Sequence, residues 1–193
     1  MSDPELRLWL IRHAPVAGPR DIIHPPDAPA DTSDAAAIAA VKEQLPPGAA
    51  VYASPAQRTL ATAQALGLEP TPEPDFREQG FGAWTGRRHA ELETELGAAY
   101  ATFWRSPARR RPPGGESFVD QIERVRRGLK ALPEGEAVLV VHSGTIRAVL
   151  AIALDVPPES ALRFVIAPLS LTRIDRVGGG SGGGWRIRYV NRR

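Results

Sequence analysis

Ala137-Val138-Leu139-Val140-Val141-His142-Ser143-Gly144 is the stretch on which the fold turns. Five apolar residues in succession, three of them β-branched, suit a strand buried on both faces. His142-Ser143-Gly144 breaks the run, and Ile146, Val149, Leu150 and Ala153 then recur at helical spacing. Strand, tight turn and helix make the repeating unit of a parallel sheet. Two earlier segments read the same way. Residues 6–11 are a nearly continuous apolar run with Trp9 inside it, ending at Arg12-His13. Residues 49–53 form a short strand, followed by Ser54 as N-cap, Pro55 as the first helical residue and a helix over 56–66, which puts Arg58 in its first turn.

Working outward, Pro15 to Pro29 is rich in helix breakers and reads as a loop beside the end of the first strand. A helix starts near Asp34 and runs from Ala36 to Leu45. Prolines between Glu69 and Pro74 enforce a loop or edge strand, residues 76–86 are irregular and aromatic, and one helix is expected over 89–104. Another is capped at Ser117 with Asp120 three residues on, and its stripe of Phe118, Ile122, Val125, Leu129 and Leu132 faces a core. Segments 161–167, 169–177 and 185–190 read as strands, the last two joined by a glycine-rich hairpin loop at 178–184. That glycine run opens no helix and lacks a following Lys-Ser/Thr, so it is no phosphate loop.

The chain has 193 residues, 42% of them apolar and 24% charged, which predicts one folded domain over 1–193. Cysteine is absent, excluding disulfides, thiol catalysis and cysteine-ligated metal. No apolar run approaches the roughly 20 residues that span a bilayer, and the first residues do not resemble a signal peptide, so a cytoplasmic protein is expected. Twenty-four Lys plus Arg against 22 Asp plus Glu leaves a net charge of +2, and only Lys42 and Lys130 are lysines. Arg109-Arg110-Arg111 and Arg124, Arg126 and Arg127 read as a solvated face or rim, with no nucleic-acid partner expected. Composition is silent on oligomeric state.

Chemistry gathers at the three strand ends. Ligands in open α/β sheets bind at the carboxyl ends of strands, beside helix N-termini whose free N–H groups favour anions. Arg12-His13, Ser54 with Arg58, and His142-Ser143-Gly144 therefore converge on an anionic ligand. Two guanidiniums offer bidentate donors to phosphate oxygens. One neutral imidazole is suited to attack phosphorus in line while the other donates a hydrogen bond, and nearby arginines favour the neutral form. Each residue alone is weak evidence: a histidine after a strand is usually structural, Arg58 reads equally as a surface residue, and Glu78 as a loop acid. Joint placement at the junctions is what raises the signal.

At these residues the sequence resembles the histidine phosphatase superfamily, also called phosphoglycerate mutase-like. Leu10-Ile11-Arg12-His13 is similar to its Arg-His-Gly opening, and Ala53-Ser54-Pro55 with Arg58, Thr59, Ala61, Thr62 and Ala63 to its second arginine segment. Glu78-Gln79-Gly80-Phe81-Gly82-Ala83-Trp84-Thr85-Gly86, Gly115-Glu116-Ser117 and Val141-His142-Ser143-Gly144 follow in family order. The resemblance implies a three-layer α/β/α sandwich around a mainly parallel sheet. It implies a phosphorylated His13, Glu78 as acid, His142 as the second catalytic histidine, and Arg12, Arg58 and Ser143 as phosphate binders, with no metal and no cofactor. The function it implies is a phosphomonoesterase for a small metabolite. Short α-ribazole phosphatase-like members are nearest, through residues 79–86 and the 169–175 tail, which points to α-ribazole 5′-phosphate and cobalamin assembly.

Departures from the family pattern fall in the first loop. Ala14 stands where glycine is usual, tolerated if its φ is negative. Pro15-Val16, Pro19 and His24 also depart. Arg20, His24, Trp84, Arg87 and Arg88 are rim candidates. Alternatives are a mutase, a protein-phosphohistidine phosphatase, and a non-catalytic phosphate-binding or interaction protein of the same fold. The last has no use for His13, Glu78 and His142 together.

Overall fold

The computed structural model describes residues 4–178 and 184–193. Among the described residues, six strands make one sheet: β1 (Pro4–Arg12), β2 (Ala50–Ala53), β3 (Thr71–Pro72), β4 (Gly135–Val141), β5 (Leu171–Val177) and β6 (Gly184–Arg192). Their order is β3-β2-β4-β1-β5-β6. Pairings from β3 to β1 are parallel, β5 is antiparallel to β1, and β6 is antiparallel to β5. Only β5 among these runs against the rest, so the sheet is mainly parallel as expected.

Helices α1 (Ala35–Lys42) and α2 (Gln57–Ala65) cover one face, while α5 (Phe118–Ala131) and α6 (Ser143–Leu154) cover the other. Strand alternation divides the labour. Leu6, Leu8 and Leu10 of β1 join Leu139 and Val141 of β4 against α5 and α6, whereas Ile11 joins Val138 and Val140 against Ile38, Val41, Ala63 and Leu66. Each fully buried leucine contributes roughly 1.5–3 kcal/mol. The buried face of α5 is the predicted stripe, and Ser117 caps it through Asp120, whose carboxylate accepts the Ser117 N–H at 2.8 Å. A third cluster of Ile23, Trp84, Leu92, Tyr100 and Phe103 lies under α3 (His89–Leu96) and α4 (Ala98–Arg105).

Three sequence expectations need correction. The helix expected over 89–104 is two helices, because Gly97 at φ 50° turns the chain between them. Residues 161–167 form no strand; the short helix α7 (Pro158–Ala161) runs into a loop, and the period-two pattern of Leu162, Phe164 and Ile166 imitated a strand. Helix α2 begins at Gln57 with Ala56 as N-cap, so Ser54 is not the cap. Edge strand β3 fits the proline-rich 69–74 segment. Except for its two ends, the expected hairpin loop lies outside the described residues.

Candidate active site

Register brings the chemistry together. Arg12 pairs with Val141 and Ala53 with Val140, so His13, Ser54 and His142 emerge side by side from β1, β2 and β4. The His13 N–H bonds the Val141 carbonyl at 2.9 Å, and the two histidine rings stand 5.2 Å apart, edge to face.

His13 is 5% exposed, and its Nδ1 lies 2.6 Å from the Ala14 carbonyl oxygen. A carbonyl only accepts, so Nδ1 carries the proton and Nε2 keeps its lone pair. Burial, then His142, then Arg58 and Arg12 hold the His13 pKa well below the ordinary 6.5. His142 is wholly buried and likewise depressed, by desolvation first and then Arg58, Arg12 and Arg124. Both imidazoles are neutral at pH 7. Ala14 is not among the residues with positive φ, so its methyl group carries no strain. Its N–H reaches Thr62 Oγ1 at 2.9 Å, and Thr62 donates in turn to the Arg58 carbonyl at 2.7 Å. The nucleophile candidate and the second arginine are thus tied through one hydroxyl.

Arg12 donates through Nη1 to the Ile166 carbonyl at 2.5 Å, and its buried Nε has no partner among the described residues. Arg58 donates through Nη1 to the Pro25 carbonyl at 2.9 Å. Burial lowers both pKa values, yet guanidinium stays charged at neutral pH. Each is anchored by one carbonyl and retains donors on the side lining the cleft.

Glu78 approaches from the 75–80 loop. Its carboxylate accepts the Gly144 N–H at 3.3 Å, at the N-terminus of α6, and the Gln121 amide at 3.2 Å. Gly144 permits this contact: a Cβ there would sit 2.1 Å from Glu78 Oε1. Arg124 fixes the same loop by donating to the Asp75 and Arg77 carbonyls at 2.7 and 3.1 Å and pairing with Glu116. Gly115 is needed for close approach, since a Cβ there would lie 2.5 Å from the Gly80 carbonyl oxygen. Arg124 is 6% exposed, so it does not belong to the solvated face that sequence assigned it to. Arg109, Arg111, Arg126 and Arg127 do lie on the surface, paired with Glu159, Asp120, Glu123 and Asp75.

These groups share a cleft of about 1520 Å³ that also takes in Ser143, Arg147, Phe81, Phe103 and Trp104. Of the rim candidates, Arg20 and His24 line it. Trp84 is instead buried against Tyr100 and Phe103, and Arg87 and Arg88 pair with Glu95 and Asp21. Arg147 was missed. It sits four residues after Ser143 on α6, a spacing that puts both on one helical face and was the available signal. Its Nε donates to the Phe164 carbonyl at 2.9 Å, so it and Arg12 both hold the 162–168 loop. Among the described residues no group of three or more His, Asp or Glu side chains is placed to hold a metal ion. No helix among them is long and apolar enough to cross a membrane.

A family model described as the histidine phosphatase superfamily, branch 1, matches residues 8–192. A bifunctional protein of Mycobacterium tuberculosis is 42% identical over 115 residues, covering 55% of this chain and 31% of that protein. The adenosylcobalamin/alpha-ribazole phosphatase of Salmonella typhimurium is 28% identical over 106 residues, covering 53% of this chain and 52% of that one. The chain therefore spans about a third of the one curated relative's length and about half of the other's. A mycobacterial glucosyl-3-phosphoglycerate phosphatase superposes with a TM-score of 0.83 at 24% identity, over 97% of this chain and 99% of that one, a likeness of fold.

Proposed function

The chain belongs to the histidine phosphatase superfamily, and from that membership we propose that it is a metal-independent phosphomonoesterase working through a phosphohistidine at His13. The observation that carries this reading is the hydrogen bond from His13 Nδ1 to the Ala14 carbonyl, which leaves a neutral, buried imidazole with a free Nε2 lone pair in the electrostatic field of Arg58 and Arg12. In the first step Nε2 attacks phosphorus in line, and the bond from phosphorus to the ester oxygen breaks. Arg12, Arg58, the His142 N–H and the α6 N-terminus at Ser143 take up the charge on the nonbridging oxygens. Glu78, in its acid form, gives its proton to the departing oxygen. In the second step water attacks the phosphohistidine, the phosphorus–nitrogen bond breaks, and the Glu78 carboxylate accepts the proton of that water.

For the leaving group, the cleft is far larger than phosphate requires, and one wall is aromatic. Trp104, 42% exposed, lines it with Phe81 and Phe103. An alcohol with a flat apolar part suits that wall, and α-ribazole 5′-phosphate, a step in cobalamin assembly, is the substrate we assign. Quenched turnover mixtures should hold an acid-labile, base-stable phosphate on the peptide carrying His13, and His13→Ala should abolish it. Phosphate found on another residue, or near-normal turnover by His13→Ala, would remove the mechanism. A panel of phosphomonoesters tests the substrate separately.

A further inference from the structure

The His142 ring is fixed at one nitrogen only. Its Nε2 lies 2.8 Å from Ser54 Oγ, while its buried Nδ1 has no partner among the described residues. Which nitrogen carries the proton follows from counting the bonds of one hydroxyl. Ser54 is wholly buried, and its Oγ accepts the Ala56 N–H at 3.3 Å. A serine hydroxyl has one proton and two lone pairs. If Nε2–H donated to Oγ, the serine proton would be left buried without an acceptor and Nδ1 would meet an anion with a lone pair; with the ring proton on Nδ1, both donors are satisfied once a phosphoryl oxygen reaches Nδ1. No acceptor other than Nε2 bonds Ser54 Oγ among the described residues. The consistent arrangement has Oγ–H donating to Nε2 and the ring proton on Nδ1. Ser54 itself is held firmly, its N–H on the Val140 carbonyl at 3.2 Å and its carbonyl on Thr59 Oγ1 at 2.6 Å.

We propose that Ser54 is a positioning residue that fixes His142 as the Nδ1–H tautomer, so that this buried N–H is the donor offered to a phosphoryl oxygen. Both the donor role and the tautomer rest on the proposed function, because without an anion at Nδ1 either tautomer leaves one buried donor unpaired. His13 and His142 then share one tautomer and present opposite faces of it. His13 spends its Nδ1–H on Ala14 and offers a lone pair, whereas His142 spends its lone pair on Ser54 and offers an N–H. Their low proton affinity makes this control necessary: an imidazolium donates from both nitrogens, but a neutral ring must be told which one.

The test reads nitrogen type directly. In ¹⁵N-labelled protein saturated with inorganic phosphate, the His142 signals, assigned by their loss in His142→Gln, should show a pyrrole-type Nδ1 and a pyridine-type Nε2. A pyrrole-type Nε2 in the wild type overturns the proposal, whatever the variants do. In Ser54→Ala the two tautomers should mix, and rapid-quench phosphoenzyme formation should slow by about 10-fold to 10²-fold, part of the 10² to 10³ that losing a donor outright costs. Ser54→Thr, which keeps the hydroxyl, should restore both readouts. An unchanged tautomer in folded Ser54→Ala would reduce Ser54 to packing. Because the tautomer is read with inorganic phosphate bound and without turnover, its failure is separable from failure of the phosphatase reading, which trapping at His13 decides.

Discussion

Gly144→Ala should uncouple activity from stability. A methyl group at this position would lie 2.1 Å from Glu78 Oε1, 3.1 Å from its Cδ and 2.9 Å from Gln121 Oε1. Ordinary van der Waals contact begins near 3.4 Å, so the carboxylate has to retreat by about 1 Å, and its bond with the Gly144 N–H lengthens with it. The backbone raises no objection. Gly144 lies in helix α6, is not among the glycines with positive φ, and alanine is the better helix former by about 1 kcal/mol. Misplacing a reacting group by about 1 Å costs on the order of 10² in rate, or roughly 2.7 kcal/mol of barrier. The loss should depend on the leaving group. An alkoxide needs the proton that the proposal draws from Glu78, whereas p-nitrophenolate leaves without it. Rapid-quench measurement of phosphoenzyme formation should show a loss of about 100-fold with an alkyl phosphate and less than about 5-fold with p-nitrophenyl phosphate, in a protein that melts no lower than wild type. Equal loss on both substrates, or none on the alkyl ester, would refute the assignment of Glu78 as the acid.

Arg12→Ala and Arg58→Ala should each lower turnover by about 10² to 10³, the range for one lost transition-state donor, checked by steady-state kinetics on p-nitrophenyl phosphate. Turnover should survive exhaustive chelation, because guanidiniums and a helix terminus supply the positive charge; metal-restorable loss after EDTA would contradict this. Acid should destabilise the protein through its histidines. Their folded pKa values are depressed, so below the ordinary 6.5 the unfolded chain binds protons that the native state refuses, and stability falls as pH falls through that window. Denaturant titrations between pH 6.5 and 5 should give wild type a steeper slope than His13→Asn, by up to about 1.4 kcal/mol per pH unit.

The strand ends were legible because strands buried on both faces must be apolar throughout, and the first polar residues after them, Arg12-His13, Ser54 and His142-Ser143, had to lie at one edge of the sheet. What could not be read depends on partners distant in sequence. Arg124 looks like its neighbours Arg126 and Arg127 until the 75–80 loop folds over it and fills its donors with carbonyls. Ser54 satisfies every local rule for an N-cap, yet its hydroxyl serves a histidine 88 residues away. Residues 162–166 alternate like a strand, but their carbonyls are taken by the side chains of Arg12 and Arg147. Gly97 was visible in the sequence, and only its backbone angle showed that one helix had become two.

The central position of β1 has a consequence for how the protein is made. Its neighbours are β4 and β5, so Arg7 waits for Glu136, 129 residues later, and Arg12 for the Ile166 carbonyl, 154 residues later. At about 5–20 residues per second, a ribosome needs on the order of ten seconds to deliver those partners. Through that interval Leu6, Leu8, Leu10 and Ile11 have no sheet to enter, and pairings of such long range are slow to close. The nascent chain therefore carries an unpaired apolar segment that invites chaperone binding or aggregation, and the surroundings of His13 are completed only after β4 and β5 have been made. Truncation before β5 would remove none of His13, Arg12, Arg58, Glu78 or His142, yet it would leave the strand that leads into His13 open along one side.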